Sequence, residues 1–294
     1  MLVRNLSRLA FAFSVGALGV QHIILDHYIN TKPPAEHWTD VSFSLIALGY
    51  KLCLITLAIA LLMEYKIRTS AISMGYLIIG WIFFRHIPLV IQNIRDPAEL
   101  NSMCMGIALA GGAFVVSDLY TDRLTTRRSH FLFNRSSRTK AFGKFCFGPP
   151  MIVFGFQHLL YADFVASEIP AWIPASYFWA NATGTALVAA GISILAEVKN
   201  KLSTLLLASM IGLWIMVLHL PRVLISPKDA MEWASLLQSV AICASAAALR
   251  ENIIMNTEST SVIAKTLNSD SSRRTPVHQK RLEPRKHHAQ NLSK

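Results

Sequence analysis

Apolar residues in this chain come in long blocks separated by short polar stretches. Eight blocks stand out, at roughly 8–27, 41–63, 70–93, 102–119, 146–166, 176–196, 203–225 and 233–250. Each is close to the ~20 residues a helix needs to cross the core of a bilayer. Blocks this long and continuous do not read as barrel strands, in which apolar positions alternate. The pattern predicts an all-α membrane protein with eight transmembrane helices. The first block follows Arg4, as the core of a leader would, but no small-x-small cleavage site comes after it. It reads as a retained first span.

The polar interruptions of this pattern repeat. "GVQHIILDHY" (Gly19 to Tyr28) and "GFQHLLYADF" (Gly155 to Phe164) share Gly, Gln and His in register, 136 residues apart. "FRHIPLVIQ" (Phe84 to Gln92) matches "VLHLPRVLI" (Val217 to Ile225), with His86 on His219 and Pro88 on Pro221. The segments that follow align Asp96, Glu99 and Ser102 with Asp229, Glu232 and Ser235 at the same offset of 133. The chain therefore reads as two copies of a four-span unit. An even number of spans faces both copies the same way, which makes them parallel-repeat four-helix bundles about an axis along the membrane normal. We expect a first unit over 1–119, a basic cytoplasmic linker over 120–145, a second unit over 146–250 and a tail over 251–294. The tail is rich in Ser, Thr, Lys and Arg and lacks aromatics, so it is expected to be disordered. Its "KHHAQ" places two His side by side on a loose segment, which is not a preorganised metal site.

Composition sharpens the class. The chain is 53% hydrophobic and only 15% charged, where soluble domains run near a quarter charged. Its net charge of +11 is unevenly spread. The N-terminus, the 64–69 turn, the linker, the 197–202 turn and the tail hold most of the Lys and Arg. The opposite loops hold Lys32, Arg95 and Lys228 among carboxylates from Asp26 to Glu232. This asymmetry places both termini in the cytoplasm. The expected partner is the lipid bilayer. Nucleic acid is not implied, because the basic residues sit beside spans. The four cysteines are far apart and form no C-x-x-C, so they read as small packing residues. Runs such as "MGIALAGGA" and "ATGTALVAAGIS" mark places where helices approach closely.

Candidate chemistry lies in the polar residues at membrane depth. His22, His86, His158 and His219 each fall in the last third of an odd-numbered span, hence at similar depth near the outer surface. Arg222 follows His219 by three residues and shares its helix face. Arg85 precedes His86 by one and is expected to aim elsewhere. Asp163 and Asp26, at the outer ends of partner helices, are expected to pair with Arg222 and Arg85. Lys51, about ten residues into the second span, is expected to snorkel outward. Three readings follow. The polar groups lock each bundle by hydrogen bonds across helices, in a non-catalytic scaffold. They hold the head group of a quinone or another lipid-soluble molecule, with His and a carboxylate moving protons. Or paired His ligate haem or a metal. Transport is disfavoured, since no span shows paired charges at mid-depth. Trp38, Trp172, Tyr177 and Trp179 read as interfacial anchors, and the stiff "IPAWIP" turn could roof a pocket above His158.

"FGFQHLLYADFVASEIPAWIP" (Phe154 to Pro174), followed by "HLPRVL" (His219 to Leu224), resembles the DoxX-like membrane proteins of bacteria. These are four-span helical units associated with quinone-linked oxidoreductases. The resemblance covers 146–250 and, more loosely, 8–119. It implies the membrane subunit of an oxidoreductase system, with quinone as cofactor ahead of haem, and a soluble or membrane redox partner. The implied head-group residues are Gln157, His158, Tyr161, Asp163, His219 and Arg222. His158 and His219 would donate to the head group, Asp163 would relay protons, and Arg222 would hold Asp163. The first-copy equivalents are Gln21, His22 and His86. No catalytic residue and no metal ligand is assigned. Leu25 stands at the position of Tyr161 and Leu89 at that of Arg222, so the second copy is the better place to look for chemistry.

Overall fold

The computed structural model describes residues 1–24, 40–94, 96–121 and 130–274. Among these, every regular element is helical: α1 (Leu2–Ile24), α2 (Asp40–Leu62), α3 (Ile67–Trp81), α4 (Ile87–Gln92), α5 (Pro97–Leu119), α6 (His130–Leu160), α7 (Ala162–Glu168), α8 (Ser176–Ala196), α9 (Asn200–Trp214), α10 (Leu220–Ile225) and α11 (Ala230–Arg274). A π-helical turn, Ile82–His86, joins α3 to α4, and another, Ile215–His219, joins α9 to α10. Seven of the resulting helices are long and apolar enough to cross a bilayer. An eighth qualifies if α6 and α7, which meet at 91°, count together. The chain is a helical, multi-span membrane protein.

Two helices run beyond the apolar blocks. Helix α6 begins at His130, well inside the stretch expected to be a linker. Helix α11 continues to Arg274, into the stretch expected to be disordered. Charge and Ser/Thr content do not by themselves end a helix, and no Gly or Pro occurs between 230 and 275. By its internal contacts the chain divides into two units, Met1–Ile253 and a second beginning at Ile254. In the second unit, Ser259 and Ser261 donate their hydroxyl protons to backbone carbonyls of their own helix. Asp26, Lys32, Trp38, Arg95 and the "KHHAQ" segment lie outside the described residues.

The local geometry recurs at the offset seen in the sequence. Lys66 and Lys199 both cap their helices from the left-handed region, at φ 43° and 48°. Glu64 and Glu197 precede them at φ 59° and 58°. Non-glycine residues rarely adopt this conformation, so four of them in matching pairs define one turn built twice. Each turn is anchored to the preceding first helix. Arg8, buried, contacts Glu64 at 2.6 Å and donates to the Leu61 carbonyl at 2.5 Å. Lys144 donates to Glu197 at 2.5 Å. That hydrogen bond, reinforced by the charge of Lys144, holds the Glu197 carboxyl below the usual glutamate range. The fourth helices also start alike. Asp96 accepts from the Ala98 N–H at 2.9 Å, and Asp229 from the Met231 N–H at 2.8 Å, each as a helix N-cap.

Helix packing uses glycine where backbones meet. A Cβ at Gly155 would lie 2.5 Å from the Gly184 carbonyl and 2.8 Å from the Val188 nitrogen, so α6 and α8 touch backbone to backbone. In the first hairpin, Gly19 faces the Ile55 side chain and the Lys51 carbonyl. Val188 and Gly184 stand 133 residues after Ile55 and Lys51, so the two hairpins share one register. The halves cross-pack through their first and fourth helices. Gly111 of α5 abuts the backbone of Cys146 and Phe147 on α6. Leu18 of α1 clusters with Ala234 and Leu237 of α11, and Gln21 donates to the Ala230 carbonyl. Gly112 of α5 meets Ser245 of α11, which lies 133 residues on, the offset of the sequence matches.

Candidate functional site

The helices of the second half, with α5, line a partly open cavity of about 560 Å³. Its body is apolar, lined by Met151, Phe154, Leu187, Met210, Ile211 and Trp214. Its polar lining comes from Gln157 and His158 on α6, Glu168 on α7, His219 and Arg222 at the α9–α10 joint, and Glu232 on α11. Asn101 and Met105 of α5 also reach it.

Two backbone breaks bring these groups together. The first is the π-helical turn ending at His219, two residues before Pro221. Proline has no N–H for the carbonyl four residues back, and its ring crowds that carbonyl. A widened turn relieves the crowding and re-aims the side chains beside it. Pro88 stands in the same relation to the π-helical turn ending at His86. The second break is at Tyr161, at φ −111° and ψ 39°, where α6 turns into α7. Backbone bonding continues across it: Tyr161 N–H donates to the Gln157 carbonyl at 2.9 Å, and Val165 N–H to the Tyr161 carbonyl at 3.0 Å. The bend lays Phe164, Val165, Glu168 and Ile169 along the cavity. The cavity is therefore bordered by α7, and of the "IPAWIP" turn only Ile169 lines it. Trp172 is largely exposed.

Arg222 is the hub of the polar lining. Its Nε donates to Glu232 at 2.9 Å, its Nη2 lies 2.6 Å from the same carboxylate, and its Nη1 donates to Glu168. The guanidinium thus ties α10 to α7 and α11. The expected Asp163–Arg222 pair is not formed; Asp163 instead accepts from the Tyr177 hydroxyl at 2.9 Å. The bend at Tyr161 is the reason, because it carries Glu168 to Arg222 and leaves Asp163 elsewhere. Tyr161 and Asp163 do not line the cavity, and Tyr161 is half-exposed.

His158 Nδ1 lies 2.8 Å from the Phe154 carbonyl. A carbonyl only accepts, so Nδ1 carries the proton and the neutral ring's Nε2 is an acceptor. This reverses the donor role expected for His158 in its neutral form. The ring fits because Gly184 leaves it space: a Cβ there would fall 2.9 Å from the His158 Cβ.

In the first half the equivalent groups are spent on the protein itself. Gln21 bonds the Ala230 carbonyl, and His86 Nδ1 lies 3.3 Å from Arg85 Nη1. Lys51 is 4% exposed, and its Nζ reaches the His22 carbonyl at 3.2 Å, toward the end of α1. Arg85 feels the charge of Glu99, the counterpart of Glu232. Positions one before and three after the His are a full helical turn apart, so both arginines face the fourth helix. The first copy does not aim its guanidinium elsewhere. The Asp26–Arg85 pair lies outside the described residues.

Glu168, Thr183 and Trp214 join the lining without having been singled out in the sequence, whereas Ser235 was matched to Ser102. Glu232 was signalled by its match to Glu99, whereas Glu168 depends on a bend that no Gly or Pro announces. Among the described residues, no group of three or more His, Cys, Asp or Glu is placed to hold a metal ion. Compared with family models, curated proteins and solved structures, the chain matches none.

Proposed function

We propose that this is a duplicated eight-span protein of DoxX-like kind whose second half holds the head group of a lipid-soluble quinone. The observation that carries the reading is that Gln157, His158, His219 and Arg222, from two stretches about 60 residues apart, line a single cavity with an apolar body. Its volume of about 560 Å³ suits a small-molecule site, apolar with a few convergent polar groups. The recurring turns, caps and π-helical joints support the duplication, and the contact of Gly112 with Ser245 supports a parallel arrangement about an axis between them. The distribution of Lys and Arg supports cytoplasmic termini in a bacterial inner membrane, with the polar lining toward the outer face.

A bound quinone would supply exchange of electrons and protons with a redox partner. The apolar lining would take its ring and tail, and Gln157 and His219 would orient the head. Helix α7 would keep water from one side, held down through Glu168 and Arg222. The test is purification in mild detergent, extraction of bound lipids and an optical spectrum. We expect about one quinone per chain, lost in His158→Ala with the fold retained. A Soret band would point to haem instead.

The scaffold reading draws on Arg222, which bridges three helices whatever the cavity contains. It predicts no co-purifying ligand, and loss of stability as the only effect of changing Arg222.

A further inference from the structure

We infer that the second-half cavity selects a ligand whose polar end donates a hydrogen bond, a hydroxyl on an apolar body, over the corresponding carbonyl. For the quinone site proposed above, this means the reduced quinol over the oxidised quinone, and the inference rests on that reading for this choice of ligand.

The ground is how the lining side chains have committed their protons. His158 gives its Nδ1 proton to the Phe154 carbonyl at 2.8 Å, leaving Nε2 as an acceptor. Thr183 directs its only hydroxyl proton to its own helix, toward the Trp179 and Ala180 carbonyls at 2.8 and 3.0 Å. Ser235 donates to the Met231 carbonyl at 2.9 Å. A hydroxyl whose proton is spent in this way still accepts through its oxygen. Glu168 and Glu232, when ionised, only accept. The strong donor of the group, Arg222, turns three of its nitrogens to those carboxylates. Gln157 and Asn101 carry amides of either sense, neutral His219 one N–H and one acceptor nitrogen, Ser239 a hydroxyl and Trp214 an indole N–H, so donors remain. The balance nevertheless lies with acceptors.

Charge points the same way. Two carboxylates around one guanidinium leave a net negative charge while both histidines are neutral. An anionic head, such as a fatty-acid carboxylate, meets repulsion there. A carbonyl head brings another acceptor to acceptors, and a hydroxyl head brings the missing proton. A mismatch of this kind leaves buried polar groups unpaired, which is where small polar differences discriminate most.

The experiment uses the full-length protein in phosphatidylcholine nanodiscs. Binding is followed by calorimetry and by quenching of tryptophan fluorescence. The probes are decylbenzoquinone, its quinol kept reduced under anaerobic conditions, 1-dodecanol and dodecanoate. We expect the quinol to bind roughly tenfold tighter than the quinone, the difference of about one hydrogen bond. Dodecanol should compete and dodecanoate should not. His158→Gln, whose amide can donate, should bring quinol and quinone to similar affinity. If that variant does not fold, Ser235→Ala removes one acceptor and should narrow the difference about threefold. Quinone binding as tight as quinol overturns this inference and leaves the quinone site standing. Dodecanol binding without either quinoid supports it and overturns the quinone site. Failure of all four probes to bind overturns both.

Discussion

The two halves of the molecule share a register and differ in what fills their middles. In the first half, Tyr50 stacks on Trp81 with ring centroids 4.4 Å apart. Phe43 and Phe84 close around the same indole at 6.1 and 5.7 Å. In the second half the indole is kept as Trp214, but Tyr50 is replaced by Thr183, Phe43 by Ser176 and Phe84 by Val217. Lys51, buried in the first half, becomes Gly184, the residue that admits His158. Three aromatic rings and a lysine are thus exchanged for small side chains around one retained tryptophan. Such side chains bury on the order of 150–250 Å² each, so their loss empties space on the scale of a ligand. Backbone turns, caps and ion pairs recur in the two halves, and a handful of side chains decides how each interior is filled.

Four changes bear on this comparison. The largest effect is expected at Gly155. Alanine there meets the backbone of α8, which cannot move aside, and should cost about 3 kcal/mol of stability. Gly19→Ala is crowded by the Ile55 side chain, with the Lys51 carbonyl in ordinary contact at 3.6 Å, and should cost about 1 kcal/mol or less. Thermal unfolding of the two variants in detergent measures the contrast, and equal losses would contradict the distinction between backbone and side-chain contact.

Next is Arg222→Leu, which installs the first-half residue Leu89. It leaves Glu168 and Glu232 without their cation and should destabilise by about 2 kcal/mol, less than a fully buried pair because the arginine is a third exposed. α7 should also become more open to hydrogen exchange. Unchanged protection across 162–168 would show that Glu168 does not tie α7 down.

Thr183→Tyr should fill the cavity as Tyr50 fills its counterpart. The amount of co-purifying ligand should fall about tenfold, equivalent to ~1.4 kcal/mol, with the far-UV circular dichroism unchanged. Retention of ligand would mean that it sits elsewhere.

The smallest effect is in the turn that both halves share. Glu197 is held below the usual glutamate range by Lys144. Its contribution is therefore complete above an unfolded-state pKa of about 4.3. It fades as pH falls below that value through the lower folded-state pKa. Acidification from about pH 5 to pH 3 should cost the wild type more than Glu197→Gln, by about 0.5 kcal/mol or less, since the carboxylate is largely solvent-exposed. Melting temperatures across that range give the difference.

Much of this was legible in the linear pattern. The apolar blocks announced the spans, and the recurrence of Gln-His and His-x-Pro placed Gln157, His158, His219 and Arg222 on helices that converge. What escaped has definite physical causes. Asp163 was matched to Arg222 on the assumption of a straight helix, and the 91° bend substituted Glu168. Thr183 is an unremarkable residue in an alanine-rich span, and its meaning emerges only beside Tyr50. The proton held by His158 depends on a bond to the carbonyl four residues back in the same helix, which no pattern of side chains reveals. The helical start of α6 was hidden by its basic composition.

The meeting of Gly112 with Ser245 carries a consequence for ancestry. On the duplication proposed above, these are one position seen twice, and a surface that touches its own copy is what a two-fold dimer uses. The first-on-fourth helix contacts, α6 on α5 and α1 on α11, are then the two symmetric arms of that dimer. A forebear encoding four spans would have met a second molecule of itself through this face. Joining two such genes would have removed the need to find a partner, and would have released one subunit from the obligation to resemble the other. The aromatic plug on one side and the hollow on the other are what that freedom would permit.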